Sequence, residues 1–306
     1  MGMSLSTRKL KGYLMVLASA LCFGSYGVWS RFLGSDFGIF FQGWVRSIII
    51  LAILLPIALF GKHLKAVKKP DQKWFATTMI FTVFTQVPLY YAFNHLPLGT
   101  ATLIFYGLFL ISSYMIGWIF LAEKMTVVKI ISLATALVGL CITFSLSLAV
   151  FSIGAMLLAA LNGIASGGEV ATSKKSSDRY SSLQITAYSW ILILITHLPL
   201  SLMMHERQLM PALSWQWLAM LGYAISGLAG FWLVIEGFKF IDASIGGLIG
   251  LLEIIFSVLF GVFIFKDQLT TPIVLGGLII LASAILPDVY SLLHPKTKPI
   301  PPTPPL

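Results

Sequence analysis

Residues 243–264 read ASIGGLIGLLEIIFSVLFGVFI, a run that is apolar or small throughout except for the single acid Glu253. Helix adds 1.5 Å per residue and the apolar core of a bilayer is about 30 Å thick, so about 20 such residues cross it. A soluble helix of this length would need a broad polar face, and this one has none. Its small and polar positions, Gly246, Gly250, Glu253, Ser257 and Gly261, recur every three or four residues and share one side of the helix. The other sides carry Leu, Ile, Val and Phe. Such a segment belongs in lipid, with the small stripe turned toward other helices.

Nine more stretches of the same character flank it, near 12–33, 38–60, 74–94, 98–121, 127–147, 152–173, 182–203, 215–238 and 272–293. The whole chain of 306 residues is 58% hydrophobic and only 10% charged, against about 25% charged in soluble domains. Lipid cannot satisfy free backbone groups, and the short alternating strands of a barrel are absent. All ten segments are therefore expected to be helices, giving an all-α membrane protein.

The cationic residues sort by side. Arg8, Lys9, Lys11, Lys62, Lys65, Lys68, Lys69, Lys73, Lys124, Lys129, Lys174, Lys175, Arg179, Lys239, Lys296 and Lys298 fall at one face, and only Arg31, Arg207 and Lys266 at the other. The positive-inside rule then predicts cytoplasmic termini and a multi-pass protein of the plasma (inner) membrane. This sorting holds only for an even number of spans and supports ten. Ala18-Ser19-Ala20 has the shape of a signal cleavage site, but the apolar run continues past it to Leu33, so a retained first span is expected. The net charge of +9 follows from the same sorting and does not point to nucleic acid. Cys22 and Cys141 both lie in apolar segments, and no Cys/His cluster has metal-ligand spacing, so neither metal nor cofactor is expected.

The chain also repeats itself. Shifted by 144 residues, Glu123-Lys-Met-Thr126 falls on Asp267-Gln-Leu-Thr270, Gly99-Thr100 on Ala243-Ser244, and Ser132 and Gly139 on Gly276 and Ser283. A shift of 142 lays Gly12 and Ala18 on Gly154 and Ala160. With five spans per copy the second half enters from the opposite side. The expected units are 1–150 and 151–293, two inverted five-helix repeats, followed by a Pro-rich tail, 294–306, expected to be extended and disordered.

The order of several local motifs resembles the drug/metabolite transporter superfamily, in particular its EamA-type ten-helix members. They are Trp44-Val-Arg46 in the second span, Tyr90-Tyr91-Ala92-Phe93 in the third, Glu123 to Thr126 after the fourth and Leu252-Glu253 in the ninth. The resemblance covers about residues 10–290. It implies carriage of a metabolite, amino acid or related solute, more often by export than by import, and it implies a structural role for Arg46.

Ionisable groups within spans are costly and normally face the bundle interior. Glu253 is a candidate for binding a cation or proton, or for hydrogen bonding between packed helices. Glu169 lies on a second small stripe, Ala155, Ala159, Asn162, Ser166 and Ser173, and is either a further such carboxyl or an interfacial acid paired with Lys174 or Lys175. Arg46 shares a face with Gln42 and is a clamp for a substrate carboxylate or a ligand of helix carbonyls. Glu236 and Lys239 read as a structural i,i+3 pair. Gln86, Tyr90, Tyr106 and Trp232 are candidate pocket residues for an organic solute, with Thr102, Ser113, Trp29 and Trp190 behind them.

The leading reading is a secondary transporter working by alternating access, with a small-molecule substrate, protons as candidate coupling ion and the bilayer as its medium. The sequence leaves its oligomeric state open. A channel or membrane scaffold is the alternative. An intramembrane serine hydrolase built on Ser166 and His197 is the remaining one.

Overall fold

The computed structural model describes residues 5–34, 36–85, 87–96, 98–144, 152–177 and 179–293. The tail 294–306 lies outside them. Among the described residues the regular elements are thirteen helices: α1 (Leu5–Gly24), α2 (Tyr26–Leu33), α3 (Ile39–Phe60), α4 (Lys69–Val83), α5 (Val87–His95), α6 (Leu98–Leu121), α7 (Val127–Phe144), α8 (Ile153–Ser177), α9 (Ser182–Met203), α10 (Trp215–Phe238), α11 (Ala243–Gly250), α12 (Leu252–Phe265) and α13 (Thr271–Leu293). They fill the ten expected spans. Large apolar side chains such as Phe60, Val127 and Phe263 stand exposed around the bundle, as a lipid-facing surface requires.

Three spans expected to be continuous are interrupted. The first breaks at Ser25, whose hydroxyl bonds the Cys22 carbonyl at 2.6 Å and accepts from Trp29 Nε1 at 3.0 Å. Such a local side-chain bond competes with the helical ladder. The third divides into α4 and α5 because of Pro88. In a continuous helix its ring would strike the carbonyl of Phe84, and it has no amide to donate there. The freed Phe84 oxygen instead accepts from Asn162 Nδ2 on α8 at 2.9 Å. The ninth is interrupted only at Leu251, which keeps helical angles (φ −59°, ψ −17°), so it bends without unwinding.

Close contacts run through glycines. A Cβ on Gly163 or Gly167 of α8 would collide with the Phe105 or Phe109 carbonyl of α6. A Cβ on Gly139 of α7 would lie 3.0 Å from the Gly276 carbonyl of α13. Small residues let membrane helices meet backbone to backbone.

The duplication is visible in the backbone. Four non-glycine residues among those described have positive φ: Lys62 (52°), Ala122 (55°), His205 (53°) and Lys266 (60°). They form two pairs, Lys62 with His205 and Ala122 with Lys266, separated by nearly the same shift that aligned the sequence. Pro56 and Pro199 sit at equivalent points inside α3 and α9. Tyr13 near the start of α1 donates to Asp288 near the end of α13 at 2.6 Å, so both ends of the described chain reach the same face. That face carries most of the basic residues and is called the basic face below.

Candidate substrate and coupling site

α6 packs along α8 and against α11, and among the described residues it meets α12 through side chains, Leu252 and Ile254 sharing an apolar cluster with Leu103 and Leu110, rather than through close backbones. α2 and α12 stand to one side of this region and α5, α6 and α8 to the other. Tyr106 on α6 joins the two sides by donating its hydroxyl to Glu253, in the first turn of α12. Both side chains are half-buried. Phe105 packs edge-on against Tyr106 with ring centroids 4.6 Å apart. From behind, α1 supports the acid's backbone: a Cβ on Gly24 would come within 2.9 Å of the Glu253 carbonyl. No lysine or arginine among the described residues pairs with Glu253.

Glu169 is enclosed rather than half-open. Thr82 of α4 donates to its carboxyl, and so does Ser189 of α9 at 3.4 Å. Thr78 and Thr172 continue this hydroxyl cluster at 3.0 Å. The alternative pairing of Glu169 with Lys174 or Lys175 is not made. Lys174 reaches Glu123 at 3.1 Å and the Ile241 carbonyl at 2.7 Å, while Lys175 lies 5.8 Å from the Trp74 ring centroid. Both cations project from the end of α8, past the turn that holds the acid.

Arg46 is fully buried between α3, α9 and α10. Its Nε donates to the Gln42 carbonyl at 3.2 Å, and its guanidinium lies 4.1 Å from the Tyr223 ring centroid and 5.9 Å from that of Trp190. Trp29 donates to Ser25 and Ser226 and fastens α2 to α10. Trp232 is half-buried on α10. Glu236 accepts from Lys239 at 2.7 Å and from Ser182 at 2.5 Å. Gln86 and the Tyr90 side chain lie outside the described residues. Ser166 donates to Asn162 at 3.4 Å, whereas His197 contacts Thr196 and Phe40, so the structure does not join that serine to that histidine.

Sequence reasoning missed the group that closes the basic face. Glu123 Oε1 accepts from the Ala243 amide at 2.5 Å, and Oε2 from the Ser244 amide at 3.2 Å and the Ser244 hydroxyl at 2.9 Å. Lys174 flanks it, and Lys129 bridges it to Asp242, at 3.8 Å and 2.7 Å respectively. Beside it Asp71 accepts from Arg179 at 2.7 Å and from Tyr180 at 2.8 Å. Every one of these bonds to Glu123 and Asp71, and the bond from Lys129 to Asp242, joins the first repeat to the second or tightens that junction. The available signal was the alignment of Glu123 with Asp267, two acids at the ends of equivalent spans.

The EamA-like transporter family model matches this chain twice, over residues 10–145 and 153–286. A solved crystal structure is similar with a TM-score of 0.77 and 16% identity, covering 96% of this chain and 100% of its own. At that identity the likeness speaks for the fold alone. Comparison with curated proteins gives no match.

Proposed function

The chain belongs to the EamA-like transporter family, and we propose that it carries a small cationic or zwitterionic organic solute across the bilayer by alternating access, with Glu253 and Tyr106 at the base of the binding cleft. The observation that carries this reading is the bond from Tyr106 to Glu253, which joins a span of the first repeat to a span of the second within the apolar interior. An ionised carboxyl at such a place needs a positive partner, because a lone charge out of water is expensive. Either a proton or the ammonium group of a substrate meets that need, and competition between the two couples their movements. Tyr106 donates to the carboxylate when the solute is absent and presents its ring to an arriving cation. Glu169, enclosed by hydroxyls, serves as a second protonatable group away from the cleft.

The proposed cleft opens on the face with few basic residues, while the basic face is sealed. With the basic face placed in the cytoplasm of a cell bounded by the plasma (inner) membrane, as the sorting of lysines and arginines supports, the proposed state is outward-facing. Family resemblance supports export of an amino acid or related amine as the physiological direction.

A thermal-shift screen of the purified protein against metabolites, followed by counterflow in proteoliposomes, identifies the solute. Glu253→Gln is expected to abolish accumulation driven by a pH gradient, and Tyr106→Phe to weaken solute binding while leaving coupling in place. Proton-driven accumulation that persists in Glu253→Gln ends the role assigned to this acid.

A further inference from the structure

The loops that follow α6 and α12 are copies of one another. Each begins with a residue in the left-handed region, Ala122 (φ 55°) and Lys266 (φ 60°). In each, the next residue is an acid whose amide donates six residues back, Glu123 to the Gly117 carbonyl at 3.0 Å and Asp267 to that of Gly261 at 3.1 Å. In each, the carboxyl lies over that glycine. A Cβ on Gly117 would sit 2.8 Å from Glu123 Oε2, and one on Gly261 2.7 Å from Asp267 Oδ2. Each acid also takes a cation from the far end of the other repeat's first span, Lys174 for Glu123 at 3.1 Å and Arg31 for Asp267 at 2.7 Å.

The two differ in what else they hold. Glu123, with its side chain 3% exposed, binds the first amides of α11. Asp267, with its side chain 41% exposed, bonds only Arg31 among the described residues. The repeat places Gly99 and Thr100, in the first turn of α6, where Ala243 and Ser244 stand in the other half. We propose that Glu123 and Asp267 are reciprocal latches. Glu123 seals the basic face by capping α11, and Asp267 seals the opposite face by capping α6 at Gly99 and Thr100 when the cleft turns over.

The proposal rests on the alternating-access reading. Its physical basis is that the first amides of a helix lack partners and attract a carboxylate through a charge-assisted bond. Two further observations support an exchange of shapes between the halves. The spans interrupted here are the first, third and ninth, whereas their repeat counterparts α8, α10 and α6 are continuous. On the helices that meet at the sealed face, Tyr114, Ser132 and Ser176 keep buried hydroxyls without a partner among the described residues, groups that hydration satisfies once that face opens.

Distances between spin labels test this in the full chain, in a Cys22→Ser, Cys141→Ser background reconstituted in lipid. One pair, Lys124→Cys with Lys239→Cys, reads the basic face. Its repeat counterpart, Gln268→Cys with His95→Cys, reads the other. Glu123→Gln is expected to lengthen the first distance and shorten the second, shifting the ratio of the two states about tenfold. Asp267→Asn is expected to shift it the other way. Should Glu123→Gln fail to fold, Asp267→Asn alone decides, since its site is exposed. Unchanged distances in Asp267→Asn, or two distances that lengthen together in either variant, overturn the proposal. Counterflow measured on the same liposomes separates the two ideas. Transport without reciprocity removes the latch and leaves the carrier, whereas immobile distances with no counterflow remove both.

Discussion

Glu253 and Glu169 are both carboxyls without a cationic partner among the described residues, yet their surroundings differ. Glu253 is half-buried and takes one tyrosine hydroxyl, the partner that the proposed solute would displace. Glu169, on α8, is walled in by Thr82 of α4 and Ser189 of α9. Asp71 shows the opposite case at the basic face. The Tyr180 hydroxyl bonded to it, aided by Arg179, holds its carboxyl below the usual aspartate value. A depressed carboxyl contributes stability that is complete above its unfolded pKa of about 3.9 and is lost as pH falls from there through the folded value. Melting temperature should therefore drop on acidification below about pH 4, and Asp71→Asn should flatten that part of the profile when both proteins are melted across pH.

At the level of the helix, the break between α4 and α5 shows how a local rule becomes a tertiary contact. Pro88 cannot sit in a continuous helix, so the Phe84 carbonyl loses its partner, and Asn162 on another repeat supplies one. Leaving that oxygen unpaired costs about 1–3 kcal/mol. Asn162→Ala should lower the thermal midpoint by several degrees in detergent. Asn162→Leu should not restore it, because its side chain fills the space but has no hydrogen to donate. An unchanged midpoint in both variants would mean that water takes the place of the amide. The proline itself was plain in the sequence, but the expected third span ran through it, because proline is tolerated in membrane helices whose freed groups find other partners. Which partner that would be depended on α8, far away in the chain.

For the molecule as a whole, the placement of the start of the first span and the end of the last on one face follows from the bond between Tyr13 and Asp288. Tags at the two termini should become accessible to an impermeant reagent together, in vesicles of one orientation, and should both be protected in the other. Protection of one tag with exposure of the other would contradict the inverted repeat. The same arrangement explains the unequal faces. Glu123, Lys129, Lys174 and Asp242 interlock at the basic face, while the opposite face is tied at α12 by the exposed pair of Arg31 and Asp267.

The ten spans, their sorted charges and the duplication were legible in the chain itself, because each is a local property. An apolar run is long enough or it is not, and a lysine falls in one loop or another. Glu253 could be singled out for the same reason, since a lone acid in 22 apolar or small residues has few places to go. What the acid meets could not be read this way. Tyr106 lies 147 residues from Glu253, and the amide that Glu123 caps lies 120 residues from it. Contacts across such separations, the bends in three spans and the choice of which face is closed arise only when two nearly equivalent halves are packed in different shapes. The pattern of one repeat, being shared by both, does not say which half takes which shape.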